Sequence, residues 1–180
     1  DALPISNCTA DSMEFLERAM TAQELGAGGI MAAPGLLGLS IIRELSSAPD
    51  FHLPIFLHPC FSGPLVLSAD SGISPFCCYG QFSRLAGADA AIFTSFGGRF
   101  PFTEEVCRKI CDGTETEMGG LRSIFPVPSG GMKWQLFKKM VQVYGPDAIF
   151  LVGGALLTES DDLTANMHFY FEKLNEAVNK

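Results

Sequence analysis

The chain has 180 residues, of which 47% are apolar and 18% are charged, and this composition excludes an intrinsically disordered protein. Its formal net charge is −8 and its pI ≈ 4.8, which argues against nucleic acid or an anionic membrane surface as a partner. No apolar run approaches the length needed to span a bilayer. The six cysteines show neither a CxxC pair nor metal-ligand spacing, so they indicate free thiols in a reducing compartment, and we expect a cytoplasmic protein.

The N-terminal part of the chain allows two interpretations. Residues 1–5 match the translation of a common sequencing-adapter end, so the authentic sequence is expected to begin just after them. The alternative is a genuine strand over residues 3–8, which are apolar enough to form one. A helix is then predicted over residues 11–25, because apolar side chains recur at helical spacing and Asp11 is a suitable N-cap.

Farther along the chain, short apolar runs bounded by turn residues alternate with helical patterns. The predicted strands are residues 29–33, 53–58, 89–93, 123–129 and 148–152, and the predicted helices are residues 36–45, 75–86, 104–113, 132–144 and a last helix near the C-terminus. Residues 60–72 are expected to form a long loop. The last helix is expected to bury one apolar stripe, which consists of Leu163, Met167, Tyr170, Leu174 and Val178.

The alternation of strands and helices is typical of βαβ units in a parallel α/β sheet. Because no linker or compositional shift interrupts it, we expect a single domain over residues 1–180. Five or six units are too few for a closed (β/α)₈ barrel. The sequence therefore predicts either an open, doubly wound sheet or a barrel that lacks its first units.

Two of the apolar runs end in glycine pairs, at Gly130-Gly131 and Gly153-Gly154. A glycine pair lets the backbone turn sharply at the end of a strand and presents bare N–H groups. Where such a turn opens a helix, those groups favour an anion, usually phosphate. Either pair alone could be an ordinary tight turn, but their repetition in successive units favours a phosphate site.

Several short motifs occur in a fixed order along the chain. They are Asn7-Cys8-Thr9-Ala10, Ala22-Gln23-Glu24-Leu25-Gly26, Ile55-Phe56-Leu57-His58-Pro59-Cys60-Phe61-Ser62-Gly63, Gly72-Ile73-Ser74, Arg84-Leu85-Ala86-Gly87-Ala88-Asp89, Phe125-Pro126-Val127-Pro128-Ser129-Gly130-Gly131-Met132 and Val152-Gly153-Gly154. This ordered set covers nearly the whole chain and resembles the C-terminal catalytic barrel of the RuBisCO large-subunit superfamily, in its non-carboxylating RuBisCO-like branch. The resemblance implies a fragment that holds units three to eight of an incomplete (β/α)₈ TIM barrel.

The resemblance also implies which residues form the active site, at the carboxyl ends of the strands. The phosphate- and substrate-gripping turns would be Ser129, Gly130, Gly131, Gly153 and Gly154. His58 falls on an active-site histidine at the end of strand five, although a histidine at a strand end can equally be a structural hydrogen-bonding residue. Arg99 is the nearest basic group in the stretch that corresponds to the mobile loop six, and its alternative is a solvated loop charge.

Departures from the family pattern argue against bisphosphate carboxylation. Pro59 stands where carboxylases have a phosphate-binding arginine, and proline cannot replace a bidentate clamp. Thr158-Glu159-Ser160 replaces the Gly-His-Pro of many relatives. The resemblance then implies action on a monophosphorylated keto-sugar or sugar acid. One direction is an enolase- or isomerase-type step on methylthio-sugar phosphates. The other is a transcarboxylase- or hydrolase-type step on oxo-sugar-acid phosphates, which residues 97–100 slightly favour.

The resemblance implies a Mg²⁺-stabilised enediolate, with the metal ligands on a strand upstream of this sequence, and a homodimer when the protein is full length. The fragment alone would then be inactive. Three alternatives remain open: a true ribulose-bisphosphate carboxylase relative, a catalytically inactive sugar-phosphate binder, and an unrelated aldolase-type barrel. The last would need a Schiff-base lysine, and Lys133, just inside a predicted helix, is poorly placed for that role.

Overall fold

The computed structural model describes residues 3–68, 70–98 and 100–179, and in these residues five parallel strands form one sheet in sequence order. The strands are β1 (Ile5–Asn7), β2 (Gly29–Ala32), β3 (Ile55–Leu57), β4 (Ala90–Thr94) and β5 (Phe125–Ser129). The predicted parallel α/β sheet is therefore confirmed. The sixth predicted strand, residues 148–152, is reduced to an isolated parallel bridge between Ser129 and Leu151.

Helices connect the strands, so that each crossover returns the chain to the same end of the sheet. They are α1 (Ser12–Glu24), α2 (Pro34–Leu37), α3 (Leu39–Ser46), α4 (Gly63–Val66), a π-helix (Phe76–Gln81), α5 (Phe82–Leu85), α6 (Glu104–Glu115), a 3₁₀-helix (Trp134–Leu136), α7 (Phe137–Tyr144), α8 (Gly154–Leu157) and α9 (Leu163–Val178). No helix in the described part of the chain is both long and apolar enough to cross a membrane.

The two faces of the sheet differ in what covers them, and this difference identifies the architecture. Strand side chains such as Ile30 and Phe93 pack into two large clusters with helix residues. The opposite face carries a third, small cluster whose members all come from strands or the bridge: Met31, Phe56, Ala90, Ile92, Val127 and Leu151. A doubly wound sheet would have helices on both faces, whereas a barrel has strand side chains on its inner face. The arrangement is that of a barrel segment.

Local sequence signals account for the ends of the best-predicted helices. The Asp11 carboxylate accepts hydrogen bonds from the N–H groups of Met13 and Glu14, at 3.0 Å each, and caps α1 as expected. The Thr103 hydroxyl likewise accepts from Val106 N–H and caps α6. Of the predicted strand over residues 3–8, the structure forms β1 over Ile5–Asn7, which pairs with β2, so the strand interpretation is confirmed with narrower bounds.

Several predicted element bounds were wrong. Gly38, at φ 82°, divides the predicted helix over residues 36–45 into α2 and α3. Within the predicted loop 60–72 the chain forms the short helix α4, and α6 continues two residues past Gly113. The break at Gly38 is a local one, because its left-handed backbone is a conformation that glycine adopts readily and that ends a helix.

The predicted apolar stripe of α9 is confirmed only in part, because Tyr170 and Leu174 pack in or against the main core cluster while its other members are exposed. Leu163 and Val178 are 51% and 57% exposed, while Tyr170 is 4% exposed and Asn166 is 3% exposed. Asn166 is buried because its side-chain amide donates to the carbonyls of Leu156 and Ser160, at 2.9 Å each. These hydrogen bonds compensate the cost of burying an amide and allow a polar residue on the buried face of the helix, where the apolar pattern does not predict one.

Candidate active site

A cleft of about 1080 Å³ lies at the carboxyl edge of the sheet. Its walls include the residues at or just after the ends of three strands: His58 after β3, Thr94 of β4 and Ser129 of β5. The carboxyl ends of parallel strands are where βα-loops assemble binding sites in barrels. His58, Ser129, Gly130, Gly131, Gly153 and Gly154 all line this cleft, so the structure brings together every predicted site residue that it describes. The remaining one, Arg99, lies outside the described residues.

The turn after β5 is built for close backbone approach. Gly130 and Gly131 have φ values of 73° and 71°, in the left-handed region that glycine adopts without a steric penalty. A Cβ on Gly131 would lie 2.7 Å from the backbone nitrogen of Gly98, in the loop after β4. Gly131 is therefore required for packing between two loops, whereas Gly130 faces open space.

The second glycine turn lies beside the first. The N–H of Leu151 donates to the carbonyl of Pro128 at 3.1 Å and so aligns the two chain segments that lead into the turns. A Cβ on Gly153 or Gly154 would meet nothing within 4 Å. Within the described residues, the N–H groups of Gly130, Gly131, Gly153 and Gly154 donate to no backbone carbonyl. Such unused donors at neighbouring turns suit an anion.

The hydroxyl of Ser129 is directed into the protein. Its Oγ donates to the carbonyl of Phe93 at 3.0 Å, and its own carbonyl accepts from Ser95 N–H at 2.7 Å. Ser129 lines the cleft, but its hydroxyl proton is engaged with Phe93. In this geometry the backbone amides of the glycine turns are the main neutral donors of this wall.

His58 is held as a neutral ring. Burial lowers the pKa of its imidazole below the ordinary 6.5, because a charged ring loses hydration there. Its Nδ1 accepts a hydrogen bond from Cys60 N–H at 3.2 Å, which a doubly protonated ring could not do. The proton of the neutral ring therefore resides on Nε2, and this N–H is the group that His58 can offer to a ligand in the cleft.

The loop after His58 is fixed by a buried hydroxyl pair. Ser62 Oγ and Tyr79 OH lie 3.0 Å apart, and burial raises the pKa of the Tyr79 phenol, which stays protonated. Phe61 has φ 67°, rare for a residue with a side chain, and is 70% exposed. With Phe102 and Leu67 it forms an apolar wall of the cleft, opposite the glycine turns.

The described residues that line the cleft carry positive charge only. Among its described lining residues, Lys133 is the only one with a full charge, and none is a carboxylate. The described residues contain no group of three or more His, Cys, Asp or Glu side chains that could hold a metal. Because Mg²⁺ sites in proteins are usually built on one or two carboxylates together with waters and substrate oxygens, these residues do not fit a magnesium site by themselves.

Sequence reasoning missed Lys133 as a cleft residue, although it follows a predicted site turn by two positions. It also missed the apolar wall of Phe61 and Phe102. Nothing in the periodicity of these loops signals the wall, because the residues converge only after the loops fold. Thr94 could have been found, since it ends a strand whose carboxyl end was expected to face the site.

No protein-family model matches the chain. Curated relatives include 5-methylthioribulose-1-phosphate isomerase of Rhodospirillum rubrum, 36% identical over 148 residues, which are 80% of this chain and 37% of that protein. The 2,3-diketo-5-methylthiopentyl-1-phosphate enolase of Exiguobacterium sibiricum is 32% identical over 155 residues, 86% of this chain and 39% of that enzyme.

Among solved structures, a RuBisCO-like protein from Alicyclobacillus acidocaldarius matches with a TM-score of 0.87 and 29% identity. The match covers 94% of this chain and 42% of that one. The chain thus spans less than half the length of each of these three relatives.

Proposed function

Because the chain belongs to the RuBisCO large-subunit superfamily, we propose that it forms the phosphate-binding part of a RuBisCO-like active site that acts on a monophosphorylated keto-sugar. The observation that carries this proposal is the cleft itself. Two glycine turns with unused N–H groups, a neutral His58 and the cation Lys133 surround one space, and no described lining residue is a carboxylate. These are the features that bind a phosphate dianion and a neutral carbonyl or hydroxyl next to it.

The reaction we propose is enolisation: a general base outside the described cleft residues takes a proton from the carbon next to the carbonyl. The C–H electron pair then forms the C=C bond, and the π pair of the carbonyl moves onto its oxygen. This chain would hold the phosphate on the glycine turns and donate a hydrogen bond from His58 Nε2 to a substrate oxygen. Donors that meet developing negative charge stabilise the transition state more than the ground state. The apolar wall of Phe61 and Phe102 would exclude water from the intermediate.

Two sequence-based directions were open, and the relatives favour the first. Their names describe an isomerase and an enolase of methylthio-sugar phosphates. The transcarboxylase- or hydrolase-type direction drew its support from residues 97–100, of which Arg99 lies outside the described part. We therefore propose the enolase- or isomerase-type step.

We further propose a single domain over residues 1–180, a homodimer, Mg²⁺ ligands outside the described residues, and a cytoplasmic location. The six free thiols support the cytoplasmic location.

The test is solvent exchange in the longest natural form of the protein. We would incubate it in D₂O with 5-methylthioribulose 1-phosphate, or with 2,3-diketo-5-methylthiopentyl 1-phosphate, and follow deuterium incorporation next to the carbonyl by NMR. Exchange with either compound, and loss of exchange in His58→Ala, is the expected result. Binding without exchange would favour the inactive sugar-phosphate binder, and turnover of ribulose 1,5-bisphosphate would favour a true carboxylase relative.

A further inference from the structure

We propose that Lys133 is an anion-binding residue of the cleft, whose ammonium contacts the phosphate of a ligand held on the two glycine turns. The inference rests on the proposed function, which supplies the phosphorylated ligand, and it goes beyond that function by assigning a cation. Neither the glycine pairs nor the strand-end histidine predicts such a residue. Lys133 would determine specificity, because it sets the preference of the cleft for a doubly negative group.

The first argument is charge. Lys133 contributes the only full charge among the described residues that line the cleft, and no described carboxylate shares its walls. Within the described residues its ammonium forms neither an ion pair nor a hydrogen bond. An unpaired ammonium in a cleft without acidic groups gives a positive local potential, and it keeps three donors available for an anion.

The second argument is the fixed position of its backbone. The residue before it, Met132, is 1% exposed and belongs to the main core cluster. The residue after it, Trp134, packs edge-on against Phe169 at 5.5 Å between ring centroids. The N–H of Lys133 donates to the carbonyl of Gly131 at 2.8 Å, which ties the lysine to the glycine turn. Both neighbours are anchored in the core, whereas Lys133 is exposed and lines the cleft.

The third argument is contrast with the other lysines. Lys109 pairs with Glu105 at 2.7 Å, Lys139 pairs with Glu104, and Lys173 pairs with Glu176 at 2.9 Å, all on helices. Lys138 is exposed on α7 and does not line the cleft, so it serves as a matched control five residues away. Lys133 differs from all of these because it follows a glycine turn and lies in the cleft wall.

The fourth argument is that the described residues of the loop after β3 that line the cleft include no competing cation. Pro59 lines the cleft directly after His58 and offers neither a charge nor an N–H group. The Ser129 hydroxyl is engaged with Phe93. The glycine amides and the other described donors of the cleft are neutral, and Lys133 supplies the charge that they lack.

The experiment compares Lys133→Gln, Lys133→Arg and Lys138→Gln in the longest natural form of the protein. Binding of inorganic phosphate and of 5-methylthioribulose 1-phosphate is measured by calorimetry in about 50 mM and about 500 mM salt, which bracket strong and weak screening. Melting temperatures establish that each variant is folded. We expect Lys133→Gln to lose about tenfold or more in affinity for both ligands at low salt, or 1.4 kcal/mol and above. Lys133→Arg should retain most of the affinity, and Lys138→Gln should match the wild type.

The outcomes separate this inference from the proposed function. If both ligands bind and Lys133→Gln binds them as tightly as the wild type, the role of Lys133 is overturned while the proposed function stands. If inorganic phosphate binds in a Lys133-dependent manner but the sugar phosphate does not bind, Lys133 is supported and the proposed substrate is wrong. If the wild type binds neither ligand, both are overturned.

Discussion

Gly131 and Gly98 touch through their backbones, so that a single added Cβ on Gly131 would lie 2.7 Å from Gly98 nitrogen. This contact locks the turn after β5 to the loop after β4 and makes one glycine of the pair structural. Its neighbour Gly130 has nearly the same φ but no atom within 4 Å of a Cβ. The two glycines of one pair therefore have different roles.

The first prediction compares these two positions. Gly130→Ala should cost about 1–2 kcal/mol of unfolding free energy, since only the positive φ is penalised. Gly131→Ala should cost at least about 1–3 kcal/mol more, because the methyl group overlaps the Gly98 backbone. Denaturant unfolding measures both. Equal losses in the two variants would show that the contact between the loops is looser than the structure indicates.

The second prediction concerns Gly153, whose φ of −126° lies outside the left-handed region. A side chain there meets no protein atom, so Gly153→Val should fold with a melting temperature close to that of the wild type. The valine would occupy the space of the ligand, and affinity for a ketose monophosphate should fall by about tenfold or more. Lys138→Ala is the control and should bind normally. Lost stability with unchanged affinity would mean that the turn is only structural.

The third prediction concerns ligand charge. With Pro59 on the β3 side and Lys133 on the β5 side, the described cleft has a cation for one phosphate. We expect less than about tenfold preference for a ketose bisphosphate over its monophosphate, a gap below 1.4 kcal/mol. Calorimetry with ribulose 1,5-bisphosphate and ribulose 5-phosphate measures the ratio. A larger preference would indicate a second phosphate site.

The fourth prediction concerns the pH dependence of stability at His58. The pKa of this imidazole is lowered in the folded state by burial, so the unfolded chain binds a proton more readily as pH falls below 6.5. The unfolding free energy should therefore be unaffected by this group above pH 6.5 and should decrease below it. His58→Gln should lose less stability than the wild type between about pH 7.5 and about pH 5.5. An identical loss in both proteins would contradict the burial of the ring.

The fifth prediction concerns thiol reactivity. Cys60 is exposed and lines the cleft, whereas burial raises the pKa of Cys111 to about 12 and that of Cys78 to about 11. Because the thiolate is the reactive form, a disulfide reagent at about pH 7.5 should modify Cys60 much faster than Cys111. A saturating ketose monophosphate should slow the fast phase, and Cys60→Ala should abolish it. If the rate of the fast phase does not change when the ligand is added, Cys60 lies away from the bound molecule.

The sequence by itself determined the alternation of strands and helices, the helix cap at Asp11, and the glycine pairs at the strand ends. These are local features: periodicity, capping side chains and backbone freedom act within a few residues of each other. The parallel sheet follows from this alternation, because the connection between two parallel strands is almost always right-handed and few topologies are then possible. The glycine pairs were found for the same reason, since each lies directly after an apolar run, whereas His58 was singled out by the resemblance of its motif to the family.

Only the tertiary structure decided which candidates share a site and what each side chain can do there. The tautomer of His58 depends on the N–H of Cys60. The Ser129 hydroxyl donates its hydrogen bond to the carbonyl of Phe93 on the neighbouring strand. The burial of Asn166 on α9 depends on its hydrogen bonds to the carbonyls of Leu156 and Ser160. Lys133 lines the cleft because its neighbours Met132 and Trp134 pack in or against the main core cluster and fix its backbone there. Contacts between residues far apart in the chain form only when the whole fold is present, and no local pattern encodes them.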